Sequence, residues 1–251
     1  MPLIVDLAAG YKGRAVVDVK VEFKPGVTAL VGPNGSGKTT LLRAVAGVIK
    51  PMRGGALLDG RPLGPRDVAY LPHAGGLDPN ATVRDEVEFY WDVLGAENRE
   101  EAARALGLEE LWEKKVGDLS HGQRRRAELA VVLALRRRAF LLDEPLKGLD
   151  LQYREAVLKL LRTLGEYVIY TTHEPAVVER TADWVVAVRG GRAVYAGPLG
   201  GLRRRAVIRA RRGGETLMVE TDDAQNKLRE LEAAGYTIEE VSSADLKALM
   251  T

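Results

Sequence analysis

Residues 32–40 read Gly-Pro-Asn-Gly-Ser-Gly-Lys-Thr-Thr, and Gly32 through Thr39 fits G-x-x-x-x-G-K-[ST], a loop that holds nucleotide phosphates. Gly32, Gly35 and Gly37 let the backbone curl so that successive N–H groups converge on phosphate oxygens at the positive end of a new helix. Lys38 is placed to reach the β- and γ-phosphates and the Thr39 hydroxyl to ligate Mg²⁺. The expected cradle is Gly32, Pro33, Asn34, Gly35, Ser36, Gly37, Lys38, Thr39 and Thr40. Asp143-Glu144 directly follows the apolar run Phe140-Leu141-Leu142. A carboxylate at the end of a buried strand beside such a loop can hold Mg²⁺, usually through water, and a second next to it can polarise an attacking water. Pro145 and Gly148-Leu149-Asp150 follow, and His173 closes another apolar run at residues 167–170.

These groups need a strand, a tight loop and a helix to aim them. The apolar residues Val27, Ala29, Leu30 and Val31 predict a buried strand before the loop, and residues 38–49 predict a helix after it. Val17, Val19, Val21 and Phe23 alternate with charged neighbours, as a half-buried antiparallel strand does. Gly54-Gly55 and Asp59-Gly60 predict a hairpin, residues 80–115 are mostly helical in pattern, and residues 184–195 predict a final hairpin around Gly190-Gly191. The runs at residues 140–142 and 167–170 have the continuous apolarity of central parallel strands.

Composition narrows the partners. In 251 residues the formal net charge is +2, which argues against a dedicated nucleic-acid binder. There is no cysteine, which excludes disulfides and thiolate metal sites and is compatible with the cytosol. Asp6 interrupts the first apolar stretch, so no amino-terminal signal is expected, and the longest uncharged apolar run, residues 129–135, is far short of the ~20 residues of a membrane span. Work at a membrane would need another anchor.

Leu119-Ser120-His121-Gly122-Gln123, ahead of a helix expected at residues 124–137 and the strand ending in Asp143-Glu144, resembles the signature of the ATP-binding cassette (ABC) ATPases, and the resemblance runs over about residues 3–200. It implies a P-loop α/β ATPase core with an antiparallel β subdomain and a helical subdomain near residues 74–135. It implies ATP and Mg²⁺ as cofactors and two cassettes stacked head to tail as a homodimer or pair. Ser120, Gly122 and Gln123 of one chain would then meet the nucleotide held by the other. By the same resemblance Glu144 is the general base, His173 the γ-phosphate sensor, Asp150 a cross-interface residue, and Tyr11 an aromatic that stacks on adenine. Tyr11 packing on its neighbours is the plainer reading.

Three positions depart from the family pattern. His73, in Ala69-Tyr70-Leu71-Pro72-His73, stands where a glutamine that touches Mg²⁺ or the attacking water is expected, and a neutral imidazole can accept such a contact. His121 replaces the middle glycine of the signature, and Lys147 replaces a small residue before Gly148-Leu149-Asp150.

Residues 201–251 predict a small ββαβα domain, with Asp222 or Asp223 capping its first helix. This tail resembles the carboxy-terminal domain of exporter-type ATPase subunits. Its basic stretch (Arg203 to Arg205, Arg209, Arg211, Arg212) reads as a solvated strand face, with attraction to anionic lipid as the alternative. The expectation is therefore an ATPase subunit that powers a transporter, read as an exporter, on the inner face of the cell membrane and joined to a separate transmembrane permease. The alternatives are an importer subunit or a soluble ABC ATPase acting as a mechanical clamp.

Overall fold

A computed structural model describes residues 2–202, 206–221, 223–243 and 246–250. The chain opens with β1 (Leu3–Tyr11), β2 (Arg14–Phe23), β3 (Gly26–Val31), α1 (Lys38–Val45), β4 (Arg53–Leu58), β5 (Arg61–Pro62) and β6 (Val68–Leu71). The helical segment follows as α2 (Val83–Leu94), α3 (Arg99–Ala105) and α4 (His121–Leu133). Next come β7 (Ala139–Leu142), α5 (Leu151–Leu160), β8 (Tyr167–Thr171), α6 (Pro175–Thr181), β9 (Trp184–Arg189), β10 (Arg192–Pro198) and α7 (Leu199–Leu202).

Among the described residues these strands form two sheets. One is antiparallel, in the order β2-β1-β4-β5; the other runs β10-β9-β3-β8-β7-β6. In the second, β6, β7, β8, β3 and β9 are parallel and β10 is an antiparallel edge. Its strands are buried on both faces, so apolar side chains divide by parity rather than alternating with polar ones. Val27, Ala29, Phe140, Leu142, Val168 and Tyr170 face a core shared with the helices α2 to α6. Leu30, Leu141, Tyr167, Ile169 and Val186 face a second core closed by α1 and the antiparallel sheet. Strands β3, β6, β7 and β8 thus each lead into a loop towards a helix at the carboxyl edge of the sheet, the usual place for a site in such folds.

Two helices are shorter than their sequence patterns. Helix α1 stops at Val45, not near residue 49, because Gly47 turns left-handed (φ 75°) and the N–H groups of Val48 and Ile49 fold back on the Arg43 carbonyl. Helix α4 begins three residues earlier than expected. Ser120 accepts from the Gln123 N–H while the Gln123 side chain accepts from the Ser120 N–H, a reciprocal cap that starts the helix at His121. It ends at Leu133, short of residue 137, where the Ala134 carbonyl instead receives the N–H groups of Glu97 and Asn98.

The tail contains β11 (Ala206–Arg212), β12 (Glu215–Thr221), α8 (Ala224–Ala233), β13 (Thr237–Ser243) and α9 (Leu246–Met250), with sheet order β12-β11-β13. Ile208, Ala210 and Leu231 make a small core of their own. Helix α9, however, returns Leu246 and Met250 to the large core, and Arg189 donates to the Ala248 carbonyl. Asp223 caps α8; Asp222 and Arg203 to Arg205 lie outside the described residues. Arg209 pairs with Glu239 at 3.1 Å, and Arg212 donates to the Ala234 carbonyl. Among the described residues no helix is long and apolar enough to cross a membrane.

Candidate functional site

The phosphate loop joins β3 to α1 and closes against β2. Gly37 caps α1 with φ 106°, and a Cβ there would sit 2.3 Å from Val17 Cγ1, so conformation and space both demand glycine. Lys38 is buried and folds back to donate to the carbonyls of Gly32 (2.8 Å) and Pro33 (3.0 Å). Burial pushes its ammonium below the ordinary lysine value, against the opposing pull of Asp143 and Glu144. Ser36 is buried, and its hydroxyl has no hydrogen-bond partner among the described residues. Thr40 is buried in the first turn of α1, while Asn34 and Gly35 stay exposed at the rim.

At the end of β7 the Asp143 carboxylate is held from both sides. Thr39 Oγ1 donates to Oδ2 at 2.7 Å and Thr171 Oγ1 donates to Oδ1 at 2.7 Å. Thr171 also accepts the Glu144 N–H at 2.8 Å, so the end of β8 sets the register of both acids. Glu144 itself adopts a left-handed backbone, φ 48°, uncommon for a residue with a side chain. Its Oε1 lies 3.0 Å from His173 Nε2. Asp143, Glu144, His173, His73, Lys38 and Thr39 line one open cleft with Asn34, Gly35, Thr40 and Arg43. His73 faces Glu144 and Lys147 there, with Nδ1 3.8 Å from Glu144 Oε2 and Nε2 3.3 Å from Lys147 Nζ.

The remaining expected residues sit apart from this cleft. Ser120 is exposed at the head of α4, its hydroxyl spent on the cap. Gly122 packs so tightly that a Cβ would lie 2.5 Å from the Gly148 carbonyl oxygen, and His121 lies against Gly148. The signature turn and the loop before α5 therefore touch within one chain. Asp150 is exposed at the N-cap of α5 without a side-chain capping bond. Tyr11 is exposed at the end of β1, with its hydroxyl accepting from Arg43 at 3.3 Å.

The structure also assembles residues that sequence reasoning missed. In the run Arg124-Arg125-Arg126, both Arg125 and Arg126 are buried. Arg125 donates to the carbonyls of Pro72 (2.9 Å), Asp143 (2.7 Å) and Glu144 (3.1 Å), and pairs with Glu128 at 2.9 Å. One guanidinium thus ties α4, the segment before His73 and the acidic turn together. The only sequence signal was an arginine run on a helix that is otherwise apolar after Glu128. Thr171 was visible only as a neighbour of His173.

A glycine-rich loop, a buried lysine, a clamped carboxylate and a second acid beside a histidine meet in one cleft, the residue set expected of a nucleotide-phosphate site. A family model described as "ABC transporter" matches residues 16–147. Over 190 residues the chain is 36% identical to the molybdenum import ATP-binding protein ModC of Methylococcus capsulatus, covering 69% of this chain and 53% of that protein. A putative ABC transporter ATP-binding protein of Pyrococcus abyssi is 32% identical, covering 72% of this chain and 76% of its own length. The solved structure of an ABC transporter ATP-binding subunit superposes with a TM-score of 0.74 at 25% identity, over 81% of this chain and 92% of that one. The chain belongs to the ABC transporter family. It spans about half the length of the ModC proteins it matches.

Proposed function

We propose that the chain binds MgATP and hydrolyses it to power a membrane importer, as one cassette of a head-to-tail pair docked on a separate permease. The observation that carries this reading is the joining of phosphate loop and acids through Thr39 and Asp143, with Glu144 and His173 3.0 Å apart in the same cleft. Thr39 Oγ1 and Asp143 Oδ2 converge at 2.7 Å where β7 ends against the phosphate loop. That is an oxygen donor set suited to Mg²⁺, which would neutralise phosphate charge there. Lys38, once released from the loop carbonyls, binds the β- and γ-phosphates. Glu144 accepts a proton from water as the water oxygen bonds to the γ-phosphorus and the bond to ADP breaks. His173 orients Glu144 and senses the γ-phosphate. Ser120, Gly122 and Gln123 of one chain complete the site on the other, with Asp150 at the interface and Tyr11 against adenine.

For the direction of transport, the relatives favour the importer alternative over the exporter expected from the tail. Relatives such as ModC are named for import, and they support import here. The tail alone favoured export, and its paired arginines offer no reason to prefer it. The chemical identity of the cargo belongs to the permease. Glu144→Gln should keep ATP binding, lose turnover by roughly two orders of magnitude or more, and accumulate an ATP-bound dimer on gel filtration. Near-normal hydrolysis by this variant would remove Glu144 from the role of base. For direction, cargo moving away from the cassette face in vesicles reconstituted with the permease would refute import.

A further inference from the structure

His73 and Lys147 are distant in the chain and meet at the Glu144 carboxylate. Lys147 Nζ lies 3.3 Å from Glu144 Oε2 and 3.3 Å from His73 Nε2. His73 Nδ1 stands 3.8 Å from the same Oε2, while His173 Nε2 lies 3.0 Å from Oε1. Each carboxylate oxygen therefore faces a nitrogen supplied by the chain itself. The backbone arranges this locally. Glu144 is left-handed and its carbonyl accepts the Lys147 N–H at 3.2 Å, a turn that returns residue 147 over residue 144. The Lys147 side chain is 55% exposed and that of Glu144 17%, so the ammonium covers the carboxylate from the solvent side.

We propose that Lys147 is a positioning residue that restrains Glu144, holding Oε2 on an ammonium so that this oxygen is withheld from water until residues 145–150 shift. The inference rests on Glu144 being the base. A lone pair in a charge-assisted contact must leave it before it can orient a water. The lysine is exposed, so the restraint is weak enough to be displaced. The buried anchors Leu146 and Leu149 flank the turn, which leaves Lys147 and Gly148 as its exposed and movable part.

Steady-state ATP hydrolysis by the whole purified chain tests this, at protein concentrations where specific activity has reached its plateau. Removing the charge in Lys147→Met should raise kcat by about two- to fivefold, with KM for ATP moving less than kcat. Lys147→Arg, which keeps the charge, should turn over closer to wild type than Lys147→Met does. Added salt should raise wild-type kcat towards that of Lys147→Met, because an exposed pair is screened. An unchanged or lower kcat for Lys147→Met overturns the restraint. So does a gain that persists in the Glu144→Gln background. If Glu144→Gln alone keeps near-normal turnover, the failure lies instead with Glu144 as base.

Discussion

Arg125→Met tests whether the acidic turn depends on one buried cation. The guanidinium is 3% exposed as a residue and satisfies three carbonyls and the Glu128 carboxylate. Methionine fills much of the same volume but donates nothing. Glu128, whose side chain is 10% exposed, is then left without its cation. Removing one partner of a buried pair costs about 3–5 kcal/mol, chiefly through the charge left behind. For a chain of this size each kcal/mol lowers Tm by about 2–4 °C, so the nucleotide-free variant should melt roughly 6–20 °C below wild type. Calorimetry reads that shift. Adding Glu128→Leu should recover part of it, since the stranded carboxylate goes too. The carbonyls of Asp143 and Glu144 lose their tether, so kcat should fall more than ATP affinity. A Tm loss under roughly 3 °C, or no recovery in the double variant, would refute the reasoning.

Two further outcomes follow from the same geometry. ATP should raise the Tm of wild type by mass action, whereas Lys38→Ala should show little or no ATP-dependent shift; an undiminished shift would contradict the cradle assignment. Ser120→Arg should leave ATP binding to the isolated chain nearly intact while hydrolysis falls, and loss of the cap should cost about 1 kcal/mol of stability. Ser120→Asp, which restores a capping acceptor, should recover the stability without the activity; a variant recovering both would remove Ser120 from the split site.

The site was legible where local chemistry dictates conformation. The glycines of residues 32–37 permit the positive-φ backbone that a curled loop needs, and an apolar run followed by Asp143-Glu144 needs nothing distant to be read as a strand ending in acids. Helix ends were less legible. That α4 begins at His121 was within reach, because Ser120 and Gln123 carry the capping pattern, but its end at Leu133 depends on Glu97 and Asn98 from another segment. Arg125 could not be read at all. Its triplet looks like solvated charge, and only packing against the Asp143 turn and Pro72 turns Arg125 inward, as packing against Leu106 and Gly107 does Arg126.

The sequence by itself therefore determined the phosphate loop, the acidic strand end, the existence of the signature helix and the family. Each is a short-range pattern in which residue type limits backbone conformation within a few positions. Tertiary structure alone decided that Thr39 and Thr171, 132 positions apart by number, grip opposite oxygens of Asp143, and that His73 and Lys147 close on Glu144. Those contacts arise because parallel strands β3, β8, β7 and β6 end side by side in that order. The crossovers that bring them together are long, and no local preference along the chain encodes which loop will face which.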